Sequence, residues 1–161
     1  QLTQRTFRPV LTLRLLQIAK EKFPLLFPIL YLLHSFFQNL AGLELPWKTQ
    51  IGAGFKIIHG FGIIINDSAK IGRNVTILQG VTIGAKVSGK SAGTPVLCDG
   101  VTIGAGAIVI GKVVLGENSI VGAGALVTRD LPPYSIAANE PATVIMENIE
   151  ARVTNPYPCA T

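Results

Sequence analysis

A six-residue repeat runs through the middle of this chain, from Ile51 to Val127. An aliphatic residue returns at every sixth position, often with a glycine directly after it. The positions that keep the phase are Ile65, Ile71, Ile77, Ile83, Leu97, Ile103, Val109, Leu115, Val121 and Val127. Neither the 3.6-residue period of a helix nor the alternation of an isolated strand gives this spacing. A hexapeptide repeat is typical of a parallel β-helix, in which each hexad forms a short strand and a corner, and three hexads close one coil.

The repeat is interrupted at two places. Ile57 and Ile65 are eight residues apart, so two residues are inserted around His59, the one histidine of the repeat region. Ile83 and Leu97 are fourteen residues apart, which predicts an inserted loop. A solenoid accommodates insertions as loops outside the stack, often on a binding face. We therefore expect functional residues in both insertions; the alternative is that the insertions have no function.

The positive charge is concentrated at the N-terminus. The chain has a net charge of +5, and residues 1–22 hold five basic residues against one acidic residue, a net +4. The repeat has no basic stripe with interleaved aromatic residues, which argues against nucleic-acid binding. Two cysteines, Cys98 and Cys159, form neither a disulfide framework nor a metal-ligand spacing. We therefore expect no bound metal and a cytoplasmic location.

Two helices are predicted before the repeat. The first covers residues 8–22 and ends before Pro24, and the second, almost entirely apolar, runs from Pro28 to Gly42. The apolar run is shorter and more interrupted than a typical membrane span. Two interpretations stay open: a helical cap on the first coil, or attachment to the inner membrane face through residues 1–40, helped by the basic residues before the second helix. His34 is interpreted as structural.

The predicted fold class is mainly β, a parallel β-helix with a short N-terminal helical segment. It divides into the helical segment 1–42, the β-helix 43–131, and a C-terminal cap and tail 132–161. We expect the prolines after Val127 to end the solenoid, residues 147–161 to form a frayed tail, and three apolar residues to pack back on the last coil, Ile136, Val144 and Ile145.

From about Leu43 to Ile145 the sequence resembles the hexapeptide-repeat acyltransferases. Within them it is similar to the serine acetyltransferase branch and its relatives that O-acetylate bacterial polysaccharides, such as the colanic acid acetyltransferases. The stretches that carry the resemblance are I-I-H-G-F-G-I-I-I-N, N-V-T-I-L-Q-G-V-T-I-G, G-K-S-A-G, G-A-G-A-I-V-I-G and L-P-P-Y-S. The resemblance implies a left-handed β-helix, a homotrimer, and acetyl-CoA bound between subunits. Handedness rests on the resemblance alone, since parallel crossovers are generally right-handed.

The resemblance also implies roles for single residues. His59 matches the family's catalytic histidine, and Glu44, fifteen residues earlier, matches the aspartate that orients it. The cofactor-binding positions that match are Gly84, Ala85, Lys86, Ala105 and Ala123, with Thr128 and Arg129 near the nucleotide end. We take three further residues as candidates for binding the acceptor: Phe61, Asn66 and Gln79.

The departures from the family pattern concern the acceptor. Serine acetyltransferases have Asp-His where this chain has Ile58-His59, and their long loop ends in Arg-His-Pro where this chain has Gly93-Thr94-Pro95. Because these charged groups are missing, we expect the acceptor to be a sugar hydroxyl in polysaccharide biosynthesis. Serine O-acetylation and transfer to an antibiotic-type small molecule are the alternatives. In each case His59 would act as the general base on the hydroxyl.

Two other classes of protein are disfavoured. A β-helix carbonic anhydrase holds zinc through three histidines, and the repeat region has one. A non-enzymatic assembly subunit has no need for the irregular segment around His59 or for the inserted loop.

Overall fold

The computed structural model describes residues 6–149. Most of the predicted frayed tail, residues 147–161, and Cys159 lie outside the described residues. Of the described part, Ile149 is buried and its N–H donates to the carbonyl of Tyr134 at 3.0 Å, so the chain is packed there and not frayed. Within them the chain forms two α-helices and fifteen short strands. The helices are α1 (Phe7–Lys22) and α2 (Phe27–Ala41), joined by a 3-10 turn (Pro24–Leu26). The strands are β1 (Leu43–Glu44), β2 (Gln50–Ile51), β3 (Lys56–Ile57), β4 (Ile63–Ile65), β5 (Lys70–Ile71), β6 (Thr76–Ile77), β7 (Thr82–Gly84), β8 (Val96–Leu97), β9 (Thr102–Ile103), β10 (Ile108–Ile110), β11 (Val114–Leu115), β12 (Ile120–Val121), β13 (Leu126–Val127), β14 (Ile136–Ala138) and β15 (Thr143–Met146).

The strands form three sheets, which are the three sides of a stacked coil. Sheet A has the order β1-β4-β7-β10-β13, sheet B the order β2-β5-β8-β11, and sheet C the order β3-β6-β9-β12-β14-β15. All pairs are parallel except the last, β14 with β15. The chain visits A, B and C in turn, so three strands complete one coil. This confirms a mainly parallel β architecture preceded by helices.

The repeat aliphatics fill the interior of the coils. In sheet C, for example, Ile77 lies opposite Ile103 in the parallel register, and both are fully buried. Their neighbours Thr76 and Thr102 are only half-buried, because successive side chains of a strand point to opposite faces. Burying one such aliphatic side chain contributes about 1.5–3 kcal/mol, so the stack itself supplies the hydrophobic core.

The coil continues beyond the prolines that we expected to end it. Leu131 forms a parallel bridge with Leu115, and β14 then pairs with β12 through Ile120 and Ile136. The corner before Leu131 is two residues shorter than a regular hexad, because Leu131 follows Val127 by four positions rather than six, whereas the corner through Pro132 and Pro133 keeps the regular spacing from Leu131 to Ala137. Strand β15 closes the edge of sheet C. Val144 and Ile145 are exposed there, so the prediction that they pack back on the last coil is wrong. The division of the chain at residues 42 and 131 stays a prediction.

Helix α1 packs on the first coil. Leu13 is fully buried and belongs to the same apolar core as the repeat residues. The guanidinium of Arg14 donates hydrogen bonds to the carbonyls of Ile51 and Gly52 at the end of β2. Helix α2 ends at Gly42, a left-handed C-cap with φ 67°. The two predicted helices are confirmed, and α1 packs on the first coil. The apolar face of the second helix does not cap the coil, because its buried residues are His34 and Ala41. Attachment to a membrane stays a prediction.

Candidate active site

The insertion after β3 carries His59 out of the stack. The N–H of Ile58 still donates to the carbonyl of Ile77 at 2.9 Å, and the chain leaves the ladder at the next residue. The N–H of Phe61 donates to the carbonyl of His59 at 2.7 Å, which closes a three-residue turn around Gly60. The imidazole of His59 is exposed at the corner between sheets C and A.

The backbone of His59 adopts a conformation that is uncommon for this residue type. Its φ is 54°, in the left-handed region, where a non-glycine residue costs about 1–3 kcal/mol. The close packing of Gly60 holds the turn, because a Cβ there would lie 2.3 Å from Cγ2 of Thr6 and 2.9 Å from Cγ2 of Ile57. Gly60 was not among the residues predicted from the sequence, although its position directly after the histidine in I-I-H-G-F-G was the signal for it.

Glu44 lies near the insertion but does not touch His59. The N–H of Gly62 donates to the carbonyl of Gly42 at 2.7 Å, so the insertion is fixed to the start of the first coil, two residues before Glu44. Glu44 is exposed on the outer face of sheet A. Among the described residues, no hydrogen bond or ion pair joins Glu44 to His59. Its role in orienting the imidazole therefore stays a prediction.

A column of residues continues from His59 along the same edge of the coil. Each is followed by a glycine with φ between 67° and 70°. The N–H of that glycine donates at 2.8 Å to the carbonyl of the column residue one coil earlier, as Gly80 does to Phe61. The column consists of Phe61, Gln79, Ala105 and Ala123. The structure thus places two candidate acceptor residues and two candidate cofactor residues on one edge with His59.

This edge has room for an extended, narrow ligand. A Cβ at Gly106 or Gly124 would meet nothing within 4 Å, so open space lies beside the backbone there. Ala105 is half-buried and Ala123 exposed, and neither side chain shields the neighbouring peptide groups. Contact of Ala105 and Ala123 with the cofactor stays a prediction.

The other candidate cofactor residues lie on a different edge, between sheets A and B. Gly84 ends β7, and Ala85 and Lys86 begin the inserted loop. Lys86 and Gly93 exchange both backbone hydrogen bonds at 2.9 Å, which closes the base of the loop. Thr128, which follows β13, is exposed at this same edge.

The inserted loop is anchored on the following coil. The N–H of Lys112 donates to the carbonyl of Ser91 at 2.9 Å. The side chains of Lys86, Lys90 and Arg129 are exposed at this edge. The loop therefore adds basic groups next to the candidate nucleotide positions.

Asn66 is the one candidate acceptor residue that the structure separates from the others. It follows β4 at the edge of the inserted loop, and its Oδ1 accepts a hydrogen bond from the N–H of Ser68 at 3.0 Å. Its side chain caps its own turn. The edge that bears Asn66 and the edge that bears His59 lie at the two ends of one side of the coil. That side has about six residues, or about 20 Å at 3.3 Å per residue.

Two further features lie away from His59. A groove of about 880 Å³ runs along the outer face of sheet B, where the carboxylate of Asp99 accepts a hydrogen bond from Nε of Arg73 at 2.9 Å. This bond and one from the backbone N–H of Arg73 lower the pKa of Asp99. Residues 6–149 contain no group of three or more His, Cys, Asp or Glu side chains that could hold a metal ion.

One family model matches the chain. It describes the bacterial transferase hexapeptide, six repeats, and covers residues 94–129. The match begins at the end of the inserted loop and ends just after β13.

Proteins with sequence similarity include several serine acetyltransferases. The chain is 36% identical over 131 residues to the serine acetyltransferase of Bacillus subtilis (strain 168), which covers 81% of this chain and 59% of the relative. It is 39% identical over 111 residues to the serine acetyltransferase of Mycobacterium tuberculosis, and the aligned region covers 69% of this chain and 48% of the relative. The chain therefore spans about half to three-fifths of the length of these relatives.

Solved structures of serine acetyltransferases have the same fold. Soybean serine acetyltransferase complexed with serine matches with a TM-score of 0.74 and 32% identity, over 85% of this chain and 56% of that one. The Brucella abortus strain S19 enzyme in complex with coenzyme A matches with a TM-score of 0.77 and 30% identity, over 90% of this chain and 57% of that one.

These findings correct the acceptor prediction. We expected a sugar hydroxyl in polysaccharide biosynthesis, and that expectation is wrong: the relatives named above are serine acetyltransferases, and one of the similar structures contains serine. The findings favour the alternative, serine O-acetylation. A particular closeness to colanic acid acetyltransferases is not shown. The chain carries a hexapeptide transferase repeat and has serine acetyltransferase homologues.

Proposed function

We propose that this protein transfers an acetyl group from acetyl-CoA to the hydroxyl of L-serine. The observation that carries the proposal is the position of His59, the one histidine of the coils, exposed on a strained turn at one end of an edge that continues to the small residues Ala105 and Ala123. The sequence similarity to serine acetyltransferases over 81% of the chain supports the choice of acceptor.

His59 acts as the general base in this reaction. An alcohol is a weak nucleophile at neutral pH, and a neutral imidazole within hydrogen-bond reach of the hydroxyl can take its proton as the oxygen attacks the thioester carbon. The bond between that carbon and sulfur breaks, and the thiolate leaves with the proton that His59 returns. Because the serine oxygen attacks directly, the step needs no covalent acyl-enzyme, and Cys98 has no part in it. Glu44 stabilises the imidazolium if a small rotation of both exposed side chains brings them together.

The active form is a trimer of left-handed coils. The edge that bears His59 and the edge that bears the inserted loop are separated by one side of the coil, so both can line one ligand only when they come from two copies. In a cyclic trimer, the edge of each copy that bears His59 lies next to the loop-bearing edge of the following copy, which gives three equivalent sites. Acetyl-CoA then lies along the small residues beside His59, and the loop of the neighbouring copy, with Lys86, covers it.

The charges of serine must be matched by groups beyond the immediate neighbours of His59. Ile58 carries no charge, and neither do Gly93 and Thr94 at the end of the inserted loop, whereas an unpaired buried charge costs several kcal/mol. In the trimer proposed above, Lys90 on the inserted loop of the neighbouring copy binds the carboxylate of serine.

An acceptor assay tests the proposal. The full chain is mixed with acetyl-CoA, and release of the thiol is followed with L-serine, D-serine, L-threonine and glycine. We expect release with L-serine and little with glycine, which has no hydroxyl. Thiol release that is the same with and without L-serine would contradict the proposal.

Replacing the proposed base gives the first mutational prediction. His59→Ala is expected to lower kcat by about 10²–10⁴-fold, because the base assists only when the proton moves. Binding of CoA, measured by calorimetry, is expected to change little. Glu44→Gln is expected to cost less activity, since it keeps a polar partner for the ring. If the His59→Ala enzyme keeps most of its activity, His59 is not the general base.

A further inference from the structure

The outward face of the N-terminal helices is apolar. Five residues, spaced three or four positions apart through the 3-10 turn and α2, form one stripe: Leu25 is 91% exposed, Ile29 66%, Leu32 70%, Phe36 59% and Leu40 54%. No charged residue occurs between residues 23 and 43. Large contiguous apolar surfaces are rare on soluble monomers and mark interaction sites. The outward stripe, as we call these five residues, therefore needs a partner.

The inward face of α2 is polar, which reverses the usual arrangement of a surface helix. His34 is buried and lies 3.0 Å from Oγ1 of Thr12 on α1 and 2.9 Å from the carbonyl of Leu45, next to β1. The side chain of Gln38, one turn later, accepts a hydrogen bond from the N–H of Leu45. These bonds fix the helix to the coil by its polar side, so that its apolar residues point away from the protein.

Lysines and aromatic rings border the outward stripe at its N-terminal end. The ammonium of Lys20 lies 4.0 Å from the ring centroid of Trp47, and that of Lys48 lies 5.8 Å from it. The ring of Phe27 packs edge-on against Trp47, with the centroids 5.3 Å apart. Tryptophan and lysine together are enriched where a protein meets the headgroup region of a bilayer. Lys22 is exposed nearby.

The charge of this region matches a negatively charged partner. Residues 6–48 contain five basic residues, Arg8, Arg14, Lys20, Lys22 and Lys48, against Glu21 and Glu44, a net charge of +3. Two copies that met through this surface would bring like charges together. An anionic lipid surface instead attracts each basic residue and accepts the apolar side chains.

We propose that α2 lies in the plane of an anionic lipid bilayer, with the outward stripe inserted about 5–10 Å into the boundary between headgroups and acyl chains. Pro24–Ala41 is the one segment of the described chain with the length and composition to cross a bilayer. Crossing would break the hydrogen bonds of His34 and Gln38 to Thr12 and Leu45, whereas lying on the surface keeps them all.

Vesicle flotation tests the proposal with the full chain. We expect recovery with vesicles of phosphatidylcholine and phosphatidylglycerol in equal parts, and at least about tenfold weaker partitioning to phosphatidylcholine alone, with the difference shrinking as salt is added. Equal recovery with both vesicle types, or none with either, would overturn it.

A matched pair of variants separates the outward stripe from a general effect of charge. Leu25→Glu with Leu32→Glu is expected to lower partitioning at least about tenfold. Val87→Glu with Ile145→Glu adds the same charge at two other exposed apolar residues and is expected to lower it less than about threefold. Equal losses in the two pairs would overturn the proposal.

A third variant and a sedimentation run complete the test. Lys22→Glu with Lys48→Glu keeps the outward stripe intact. This variant therefore tests the proposal even if circular dichroism shows that the leucine variants do not fold. It is expected to bind anionic vesicles as weakly as neutral ones. If the parent does not float, and Leu25→Glu with Leu32→Glu sediments as a smaller species than the parent, the stripe joins two copies of the chain and the lipid proposal is wrong.

Discussion

The coils and helix α2 direct their apolar side chains in opposite ways. In the coils the repeat aliphatics such as Ile77 and Ile103 are fully buried. In α2 the two buried residues are His34 and Ala41, while Leu32 and its neighbours are exposed. An apolar pattern in the coils therefore specifies internal packing, whereas in α2 it specifies an external surface.

The opposite orientation of the apolar side chains follows from the interactions that hold each element in place. A coil has no stability without neighbours above and below, so the interior must be apolar and continuous. Helix α2 is held by hydrogen bonds at His34 and Gln38 and by its contact with α1. It does not need its leucines for this attachment. Removing apolar side chains should consequently have opposite effects in the two regions.

The largest expected effect is on the coils. Ile103→Ala is expected to lower the free energy of unfolding by about 2–5 kcal/mol, because it removes buried methyl groups and leaves a cavity between Ile77 and Val121. Leu32→Ala is expected to change it by less than about 0.5 kcal/mol in aqueous buffer. Chemical denaturation of both variants measures the two values. Similar losses in the two variants would break the comparison, because they would mean that Leu32 is packed in the folded assembly.

The sequence predicted the coils well, for a physical reason. Each hexad contributes two inward residues, as Val75 and Ile77 do, and each stacks on an apolar residue one coil away, so the pattern repeats until an insertion interrupts it. Both insertions were therefore visible from the spacing of Ile57, Ile65, Ile83 and Leu97. The coil beyond Leu131 was not, because a corner two residues short takes Leu131 out of the six-residue phase, and because proline commonly ends a strand, whereas Pro132 and Pro133 here lie in a corner of regular length.

The candidate site was predictable in part. The placement of His59 on an irregular corner followed from the spacing, and the shared edge of Phe61, Gln79 and Ala105 follows from it as well. The distance between Glu44 and His59 did not, since it depends on side-chain rotamers. The position of Asn66 on another edge shows that a residue near the histidine in sequence can lie one side of the coil away. The burial of His34 was also not predictable, because apolar residues occur on both faces of its helix.

Two glycines with the same φ allow a direct comparison of the backbone at the end of α2 and in the coils. Gly42 ends α2 and Gly106 turns a coil, and both have a φ of 67°. Gly106→Ala is expected to cost about 1–2 kcal/mol from the left-handed conformation alone, since its added Cβ meets nothing within 4 Å. Gly42→Ala is expected to cost at least as much and to displace the ring of Phe61, which lies 2.7 Å from the added Cβ.

Unfolding and activity measurements separate the two glycines. Because Phe61 borders His59, Gly42→Ala should change kcat for the acceptor, whereas the methyl group added at Gly106 enters the space proposed for acetyl-CoA and should raise KM for acetyl-CoA. In a Phe61→Ala background the steric part should vanish, and the two glycine substitutions should become equal. A larger loss for Gly106 than for Gly42 would show that the coil edge is filled by another part of the assembly.

The smallest expected effect is the response of the helical cap to pH. Burial lowers the pKa of His34, partly opposed by its hydrogen bond to the carbonyl of Leu45. Nε2 must donate to that carbonyl, so in the neutral ring Nδ1 accepts from the hydroxyl of Thr12. Since the folded-state pKa lies below the unfolded value of about 6.5, the unfolded state binds the proton first as pH falls.

The sign of the pH effect follows from this order of protonation. The contribution of His34 is fully present above pH about 6.5 and is lost as pH falls toward its folded-state pKa, by at most about 1.4 kcal/mol per pH unit. The unfolding midpoint in urea should therefore decrease between pH 7.5 and 5.5. His34→Gln, which keeps a donor but does not titrate, should flatten that decrease, whereas Ile103→Ala should lower the midpoint equally at both pH values. An unchanged slope in His34→Gln would assign the pH dependence to another group and would show that the polar inner face of α2 does not hold the helix to the coil.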